Sequence, residues 1–266
     1  MKYVAAFSVL VLALPVMAED NSRTILDPEK VTPDYHIQGE YAGEFNGEAY
    51  GLQVIAKVDD TFSAVVYPGG LPGEGYYGYD RIFAEGVTED GVTKISADSG
   101  YALIKDGKAE VFTDEGPLGE MARVVRESRT LGAEPPEGAV VLFDGTSADN
   151  FKDGKLMFGD LLLAGCESVQ KFGDHQLHLE FRLPYEPYDR GQQRGNSGVY
   201  VQGRYEIQVL DSFGLEGKDN ECGGIYSIAR PKVNACFPPL TWQTYDIDFT
   251  AARWELSLIH IYEPTR

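Results

Sequence analysis

The sequence predicts an all-β protein in which a small antiparallel β domain precedes a larger β-sandwich. Aromatic residues and glycine are abundant, with 16 Tyr, 13 Phe and 30 Gly among 266 residues. Short segments of alternating apolar and polar residues are separated by Asp, Asn and Gly turns, a pattern typical of antiparallel strands. Apolar residues nowhere repeat with the helical period over the length that a buried helix needs.

The first domain is predicted over residues 35–128, as a meander that forms a sandwich or a barrel. Its seven strand-like segments read EYAGEF, YGLQVIAKV, FSAVVYP, RIFAEGV, VTKISA, YALIKD and KAEVFT. Asp-Gly pairs at 90–91 and 106–107 are signals for two-residue hairpin turns. The loop at 68–80, rich in Gly and Tyr, has two interpretations. Its tyrosines could stack on a sugar, or its Gly and Pro residues build a surface turn, which turn chemistry favours.

The N-terminus has the three parts of a secretory signal peptide. Lys2 provides the basic start, residues 5–14 form the apolar stretch, and Ala18 closes a small-residue cleavage site. The apolar stretch is too short to anchor the protein stably in a bilayer. We therefore predict a signal peptide over residues 1–18 and a periplasmic or extracellular mature chain without a membrane anchor. A flexible lead-in is predicted over residues 19–34.

The charge of the chain excludes two classes of partner. Asp and Glu outnumber Lys and Arg by 42 to 23, which gives a formal net charge of −19. An acidic surface repels the phosphates of nucleic acids and of anionic membranes, so neither is expected as a partner. The composition instead fits a soluble secreted protein with a solvated acidic face.

The chain contains three cysteines, Cys166, Cys222 and Cys236. Cys222 and Cys236 flank one loop, and export exposes them to an oxidant, so we expect a disulfide between them and a buried thiol at Cys166. A metal site is the weaker alternative, because no CxxC motif occurs. His175 and His178 lie three residues apart on a predicted strand and point to opposite faces, which argues against joint ligation. No metal and no cofactor is expected.

A linker at residues 129–138, extended by its Pro-Pro pair, leads to the second domain at 139–255. The predicted strands of this domain place charged residues on one face and apolar residues on the other. The polar faces carry Glu180, Arg182, Glu206 and Gln208. Antiparallel sheets of a β-sandwich commonly have one solvent-exposed face, so each carboxylate taken alone can be an ordinary surface residue. If the sheet curves, the four groups line a concave cleft suited to sugar hydroxyls.

Four stretches of the second domain resemble the 3-keto-disaccharide hydrolase domain family: VVLFDG, LHLEFRLP, GNSGVYVQGRYEIQVLDS, and CGGIY followed by WQTYDI. The resemblance covers roughly residues 139–255 and is most specific in the NSG…YEIQVLDS segment. It implies a concanavalin-like jelly roll that acts on sugars oxidised at C3. A ketone at C3 acidifies the hydrogen at C2, a base removes that proton, β-elimination breaks the C1–oxygen bond, and water adds to the enone.

The resemblance implies a carbohydrate as the binding partner and suggests candidate catalytic residues. Glu206 is the first candidate for acid/base work, and Glu180, on a neighbouring strand, is the second. Arg182 or Asn196 would stabilise the enolate or bind a hydroxyl group.

Three further residues are candidates for substrate binding. Gln208 would bind a hydroxyl or serve the structure. Asp211 has the alternative of capping a turn with Ser212. Trp242, or Tyr245 beside it, would stack on a sugar ring, with a core or rim position as the alternative.

Two other functions fit the same residues. A non-catalytic carbohydrate-binding module would use the polar and aromatic face without proton transfer. An ordinary glycosidase would use Glu180 and Glu206 as its carboxylate pair, and a retaining one needs them about 5 Å apart. A binding module would tolerate Glu206→Gln, and an ordinary glycosidase would cleave the unoxidised disaccharide.

Residues 256–266 read LSLIHIYEPTR and are expected to be foreign to the protein. A transposase sequencing adapter translates as LSLIHISEPTR, which differs only at Tyr262. A genuine short strand is the alternative, since the segment has good β propensity. If the tail is foreign, the jelly roll is cut near Glu255 and its open sheet edges promote aggregation. His260 is then not a site residue.

Overall fold

The computed structural model describes residues 2–10, 23–78 and 80–253. Within these residues the chain forms twenty strands, the α-helix α1 (Pro33–Ile37) and two 3-10 helices (Pro28–Lys30 and Gly191–Gln193). The all-β class predicted from the sequence is confirmed. In the described part of the chain, no helix has the length and apolar character needed to cross a membrane. The predicted foreign tail, 256–266, lies outside the described residues.

The first domain is an antiparallel barrel. Strand β1 (Lys2–Leu10) belongs to the second domain, and the ten strands after it belong to the first. These ten are β2 (Gly39–Phe45), β3 (Glu48–Ala56), β4 (Thr61–Pro68), β5 (Leu71–Pro72), β6 (Gly75–Tyr76), β7 (Ile82–Glu89), β8 (Val92–Ala97), β9 (Gly100–Lys105), β10 (Lys108–Thr113) and β11 (Gly116–Val124). All except β5 and β6 close the barrel in the order β10-β11-β2-β3-β4-β7-β8-β9. Of the two architectures that the sequence left open, the structure shows the barrel.

Alternate residues of the barrel strands fill its interior. On β3 these residues are Leu52, Val54 and Ala56, and on β4 they are Phe62 and Ala64. All five are almost fully buried. An eight-stranded barrel is just wide enough for side chains to fill it, so the interior of this domain is a packed core.

Two-residue turns close three of the barrel hairpins, at 46–47, 90–91 and 106–107. Both residues of each turn have a φ angle between 50° and 82°. Type I′ turns need a positive φ at both positions, and Asn-Gly and Asp-Gly reach it with little strain. The two hairpins predicted from Asp-Gly pairs are confirmed.

The glycine-rich loop at 68–80 packs onto the barrel wall. Its two short strands β5 and β6 pair with each other. The ring of Tyr76 is buried and lies edge-on to Tyr67, with ring centres 4.8 Å apart. Tyr77 is exposed and its hydroxyl donates to the Gly73 carbonyl at 3.3 Å. The buried Tyr76 favours the interpretation of this loop as a structural turn.

The second domain combines β1 with nine strands that follow the linker. These nine are β12 (Val140–Phe143), β13 (Phe151–Lys152), β14 (Leu156–Met157), β15 (Leu161–Leu163), β16 (Glu167–Ser168), β17 (His175–Arg182), β18 (Ser197–Val201), β19 (Tyr205–Val209) and β20 (Trp242–Phe249). A six-stranded sheet runs β14-β15-β1-β17-β20, with β12 also beside β1. The pairs β13-β16 and β18-β19 form two separate small sheets.

The predicted signal peptide contributes β1 to this sheet. β1 runs parallel to β17, with Val4 opposite Leu177. Its other edge pairs first with β12 and then with β15. An apolar, extended segment of this kind has the β propensity to complete a sheet, so it takes a strand position in the uncleaved chain. Cleavage near Ala18 stays a prediction, since residues 11–22 lie outside the described residues.

Residues 23–34, predicted as part of a flexible lead-in, are ordered against the second domain, which corrects that expectation. Ile25 and Tyr185 exchange two backbone hydrogen bonds, of 3.0 and 2.9 Å. The Thr24 hydroxyl donates to the Glu186 carboxylate at 2.7 Å. These long-range bonds satisfy the backbone of the segment, and the polar composition of the segment did not reveal them.

The sheets β17-β20 and β18-β19 pack face to face across the core of the second domain. Leu179 and Phe181 of β17 meet Val209 of β19 in one apolar cluster. Tyr245 of β20 crosses this core, and its hydroxyl donates to the Gln208 carbonyl of β19 at 2.6 Å. Because side chains alternate along a strand, the outer faces of the two sheets point in opposite directions.

The two domains share a packed interface. Val65 on the outside of the barrel clusters with Phe213 of the second domain. At the end of the barrel, Arg126 forms two buried bonds to the Glu40 carboxylate, of 2.5 and 2.6 Å. The same guanidinium lies 5.1 Å from the ring centre of Phe237 in the second domain.

Candidate functional site

A row of polar side chains covers the outer face of the β18-β19 hairpin. Gly198 pairs with Gln208, and Tyr200 pairs with Glu206, across the two strands. These four residues alternate with Val199 and other inward residues that pack in the core. Alternation therefore places Glu206 and Gln208 on one outward surface, as the sequence predicted.

Glu206 is the carboxylate of this surface. The Tyr200 hydroxyl donates to its Oε2 atom at 2.7 Å, and this hydrogen bond raises the pKa of Tyr200. Tyr200 itself is 60% exposed, so the pair lies open to solvent. A Cβ atom at position 198 would clash with Glu206 Oε1 and lie 2.6 Å from its Cγ, so only glycine lets the carboxylate lie across β18.

Asn196 and Gln208 extend the polar row away from Glu206. Their side-chain amides are hydrogen-bonded at 2.9 Å, and Asn196 also donates to the Gln192 carbonyl at 2.8 Å. In the opposite amide orientation, Gln208 instead donates to Glu206 Oε1 and to the Ser197 carbonyl, both at 3.2 Å. Three of the predicted site residues, Glu206, Gln208 and Asn196, are thus brought together.

The segment that follows Cys222 forms a rim beside the polar row. Its backbone pairs with β19, since Gln208 donates to the Gly224 carbonyl and Tyr226 donates to the Glu206 carbonyl, both at 2.9 Å. The rim exposes Tyr226, which is 40% accessible, and the apolar side chain of Ile228. An exposed aromatic ring beside hydroxyl-binding groups is the arrangement that pyranose faces pack against.

Glu180 belongs to a different cluster, on the outer face of β17-β20 and under the linker. Its carboxylate is 6% exposed and accepts a hydrogen bond from the Gly132 backbone at 2.5 Å. His178 lies 3.6 Å from Glu180 and 2.7 Å from Asp246. Asp246 also accepts from the Thr130 hydroxyl at 2.6 Å. These bonds fasten the linker to the sheet.

A cavity of about 350 Å³ lies between the linker and this outer face. Its polar lining comes from both strands and from the linker, as Glu134, Gln176, His178, Asp246 and Asp248. The carboxylates outnumber the single imidazole, so the cavity has an acidic character.

Arg182 and Trp242 lie on the same outer face as Glu180. The Arg182 guanidinium stacks 5.4 Å from the ring centre of Trp242, and it donates to the Leu26 carbonyl at 3.1 Å. Trp242 packs against Leu161. Both predicted binding residues therefore hold the lead-in segment against the sheet, away from Glu206.

Asp211 lies in the interior of the protein. It is 1% exposed, and its carboxylate contacts Arg194 Nε at 2.6 Å. Burial raises the pKa of Asp211, and the charge of Arg194 acts in the opposite direction. Asp211 also accepts from the Phe213 backbone at 3.2 Å, which is the turn-capping alternative named from the sequence.

Residues 138–261 match the model of the family described as a 3-keto-alpha-glucoside-1,2-lyase-like domain. The match covers the second domain and supports its assignment to that family. The resemblance read from the sequence is confirmed, and the family supports a carbohydrate-active role for the domain. The match runs past Glu255, the predicted end of the domain. No curated protein and no solved structure matches the chain.

The lyase-like domain carries two carboxylates proposed from the sequence, and the structure separates them. Glu206 lies on the outer face of one sheet and Glu180 on the outer face of the other. The core with Phe181, Val209 and Tyr245 lies between the two. Stacked sheets are about 10 Å apart, so side chains that point outward from both lie farther apart than a retaining pair requires.

The sequence missed three residues of the lyase-like domain that matter at this surface. Tyr200 was read only as part of a strand, although the hairpin centred on Gly203 pairs it with Glu206. Gly198 and Tyr226 were likewise not singled out. Counting equal numbers of residues on both sides of the turn at Gly203 pairs Tyr200 with Glu206, so the sequence contains this signal. Tyr226 lies in a loop, where no alternation of apolar and polar residues indicates its position.

The predicted disulfide partners of the lyase-like domain are neighbours in its core. Cys222 and Cys236 are both buried, and both are free thiols in this structure, as is Cys166. Among the described residues, no group of three or more His, Cys, Asp and Glu side chains is arranged to hold a metal ion.

Proposed function

We propose that the lyase-like domain cleaves glycosidic bonds of 3-keto sugars by β-elimination followed by hydration. The observation that carries the proposal is the exposed Glu206–Tyr200 pair, with a hydroxyl-to-carboxylate distance of 2.7 Å. The carboxylate and the phenol of this face supply a base and a donor, and the half-buried Asn196 supplies an amide that can bind a sugar hydroxyl.

Glu206 is the base of the proposed reaction. Its carboxylate takes the proton from C2, which the neighbouring C3 ketone has made acidic. The electron pair of that C–H bond moves to the C3 oxygen as an enolate, to which the Tyr200 hydroxyl donates a hydrogen bond. Collapse of the enolate expels the C1 oxygen substituent, which takes up the proton that Glu206 removed and leaves as an alcohol, and water then adds across the C1–C2 double bond of the enone.

The position of Glu180 supports elimination over ordinary glycoside hydrolysis. An ordinary glycosidase needs two carboxyls that flank one bond, and Glu180 lies on the opposite outer face. Elimination requires only one base, because the ketone itself accepts the electrons. Asn196 serves as a hydroxyl-binding group beside that base, and the buried Gln208 holds the Asn196 side chain in place.

The test is cleavage of a 3-keto-glucoside by the full chain, with the unoxidised glucoside measured in parallel. We expect turnover of the keto sugar alone, and a fall of at least about 100-fold in kcat for Glu206→Gln. Glu180→Gln is the matched control, and its turnover should stay within a few-fold of wild type. Full turnover by Glu206→Gln, with loss in Glu180→Gln, would assign the base to the other face.

A carbohydrate-binding module is the second candidate, favoured by the exposure of Tyr200 and Tyr226. Such a module would bind sugar on the same face without turnover. Calorimetric titration of wild type and Glu206→Gln with the unoxidised and keto sugars separates the two functions. Equal binding by both proteins, with no product from either, identifies the module.

A further inference from the structure

Two buried thiols meet at the base of the loop that forms the rim. Cys222 opens this loop and Cys236 closes it, and both side chains are buried in the same apolar cluster. Cys222 Sγ lies 3.1 Å from the Tyr245 hydroxyl, and Cys236 Sγ lies 3.6 Å from the Leu210 carbonyl. The neighbouring groups thus hold both sulfur atoms in one small volume of the core.

The loop between the cysteines is largely exposed, whereas its two ends are fixed. Every residue from 225 to 230 is exposed to solvent. At one end, the Cys222 backbone donates to the Ser212 hydroxyl at 2.8 Å. At the other end, Asn234 donates to the Ser212 carbonyl at 2.7 Å. The thiols therefore join the two points at which a solvent-facing loop enters the core.

We propose that Cys222 and Cys236 are a redox site, in which a low-molecular-weight or protein disulfide oxidises the two thiols to a disulfide that closes the rim loop. The Cys222 thiolate attacks one sulfur of the reagent, forms a mixed disulfide and releases one thiolate. Cys236 then attacks the Cys222 sulfur and releases the second. The cysteine pair loses two electrons and two protons, and the reagent becomes two thiols.

The surroundings favour Cys222 as the first nucleophile. The neighbouring Cys236 thiol lowers the pKa of Cys222, and the Cys222 thiol together with burial raises the pKa of Cys236. The Tyr245 hydroxyl lies against the Cys222 sulfur as well. The thiolate is the reactive form in exchange, so Cys222 forms the mixed disulfide and Cys236 resolves it.

Oxidation would link the two ends of the rim loop covalently. The Tyr226 backbone, which pairs with Glu206, lies within the loop that the bond closes. Closing a loop of about 15 residues removes chain entropy from the unfolded state, which raises stability. The role of the disulfide is therefore to hold the rim against β19.

The test is refolding of the full chain from urea with oxidised glutathione or with a reductant, followed by alkylation and tryptic digestion. Trypsin cuts after Lys232, between the two cysteines, so a disulfide leaves peptides 219–232 and 233–253 joined. We expect this joined species only in the oxidised sample, with a Tm roughly 5–10 °C above that of the reduced sample. Cys222→Ser and Cys236→Ser should each abolish both effects, and Cys166→Ser should keep both.

Refolding exposes the thiols to the reagent, so burial cannot conceal them. Unlinked 219–232 and 233–253 peptides in the oxidised sample would overturn the proposal, and so would a bond to Cys166. A joined species without any change in Tm would refute the stabilising role. None of these readouts measures turnover, so they are independent of the proposed activity.

Discussion

Gly198 determines where the Glu206 carboxylate lies. The carboxylate crosses β18 at this position, and a Cβ atom there would clash with Oε1. The backbone of Gly198 is ordinary extended strand, so the requirement for glycine comes from the close approach alone. The residue is therefore a sensitive probe of the proposed base.

Gly198→Ala should displace Glu206 and lower kcat toward the 3-keto-glucoside by about 100-fold, since a misplacement of about 1 Å can have this effect. Gly203→Ala is the matched control. Gly203 turns the same hairpin at a φ of +57° with no atom within 4 Å of an added Cβ, so alanine strains the turn without touching Glu206. Steady-state kinetics with thermal melts compare the two, and equal turnover in both variants would contradict the role of Gly198.

At the residue scale, the sequence predicted which face of a strand a side chain occupies, but it did not predict which residues that side chain contacts. Alternation placed Glu206 and Gln208 outward, because strand periodicity is a local property. The environment of Asp211 could not be read the same way, since its partner Arg194 reaches it through the fold. Burial and ion pairing depend on residues that are distant in sequence.

At the element scale, β1 is the strand that joins the parts of the six-stranded sheet. It bonds to β17 on one edge and to β12 and β15 on the other. Among the described strands, removal of β1 leaves β17 with β20 as its one remaining partner. Unpaired strand edges recruit other chains, so the loss of β1 affects both stability and association.

A chain that starts at Glu19 should therefore melt at a lower temperature than the full chain and should associate at micromolar concentration. Thermal melts and size-exclusion chromatography of the two chains measure both effects. A matched control replaces residues 2–10 with a Gly/Ser sequence of equal length, which should behave like the shortened chain. Equal Tm values and a monomeric shortened chain would show that β1 contributes nothing to the fold.

At the scale of the whole molecule, one buried ion pair of the barrel lies at its contact with the lyase-like domain. Arg126 binds Glu40 within the barrel wall, donates to the Pro72 carbonyl at 2.8 Å and stacks on Phe237. Both charged side chains are almost fully buried. A buried charge that loses its partner is far more costly than an exposed one.

Arg126→Met should lower the free energy of unfolding by about 3–5 kcal/mol, because it leaves the Glu40 carboxylate buried without its partner. The double variant Arg126→Met/Glu40→Gln should recover part of this loss. Lys108→Met is the matched control, since its pair with Glu120 is exposed and should matter by less than about 1 kcal/mol. Urea titrations compare the three variants with the wild type. A loss of unfolding free energy in Arg126→Met no larger than in Lys108→Met would refute the stabilising role of the Arg126–Glu40 pair.

The sequence by itself determined the all-β class, the Asp-Gly hairpins, the outward position of Glu206 and the family of the second domain. These features depend on local periodicity, turn chemistry and motifs. Only the tertiary structure decided that Glu180 and Glu206 lie on opposite outer faces. It also decided that the Tyr200 hydroxyl donates a hydrogen bond to Glu206 and that Cys222 and Cys236 lie in one core cluster. Such relations depend on which strands stack and pair across long separations, and that outcome belongs to the packing of the whole chain.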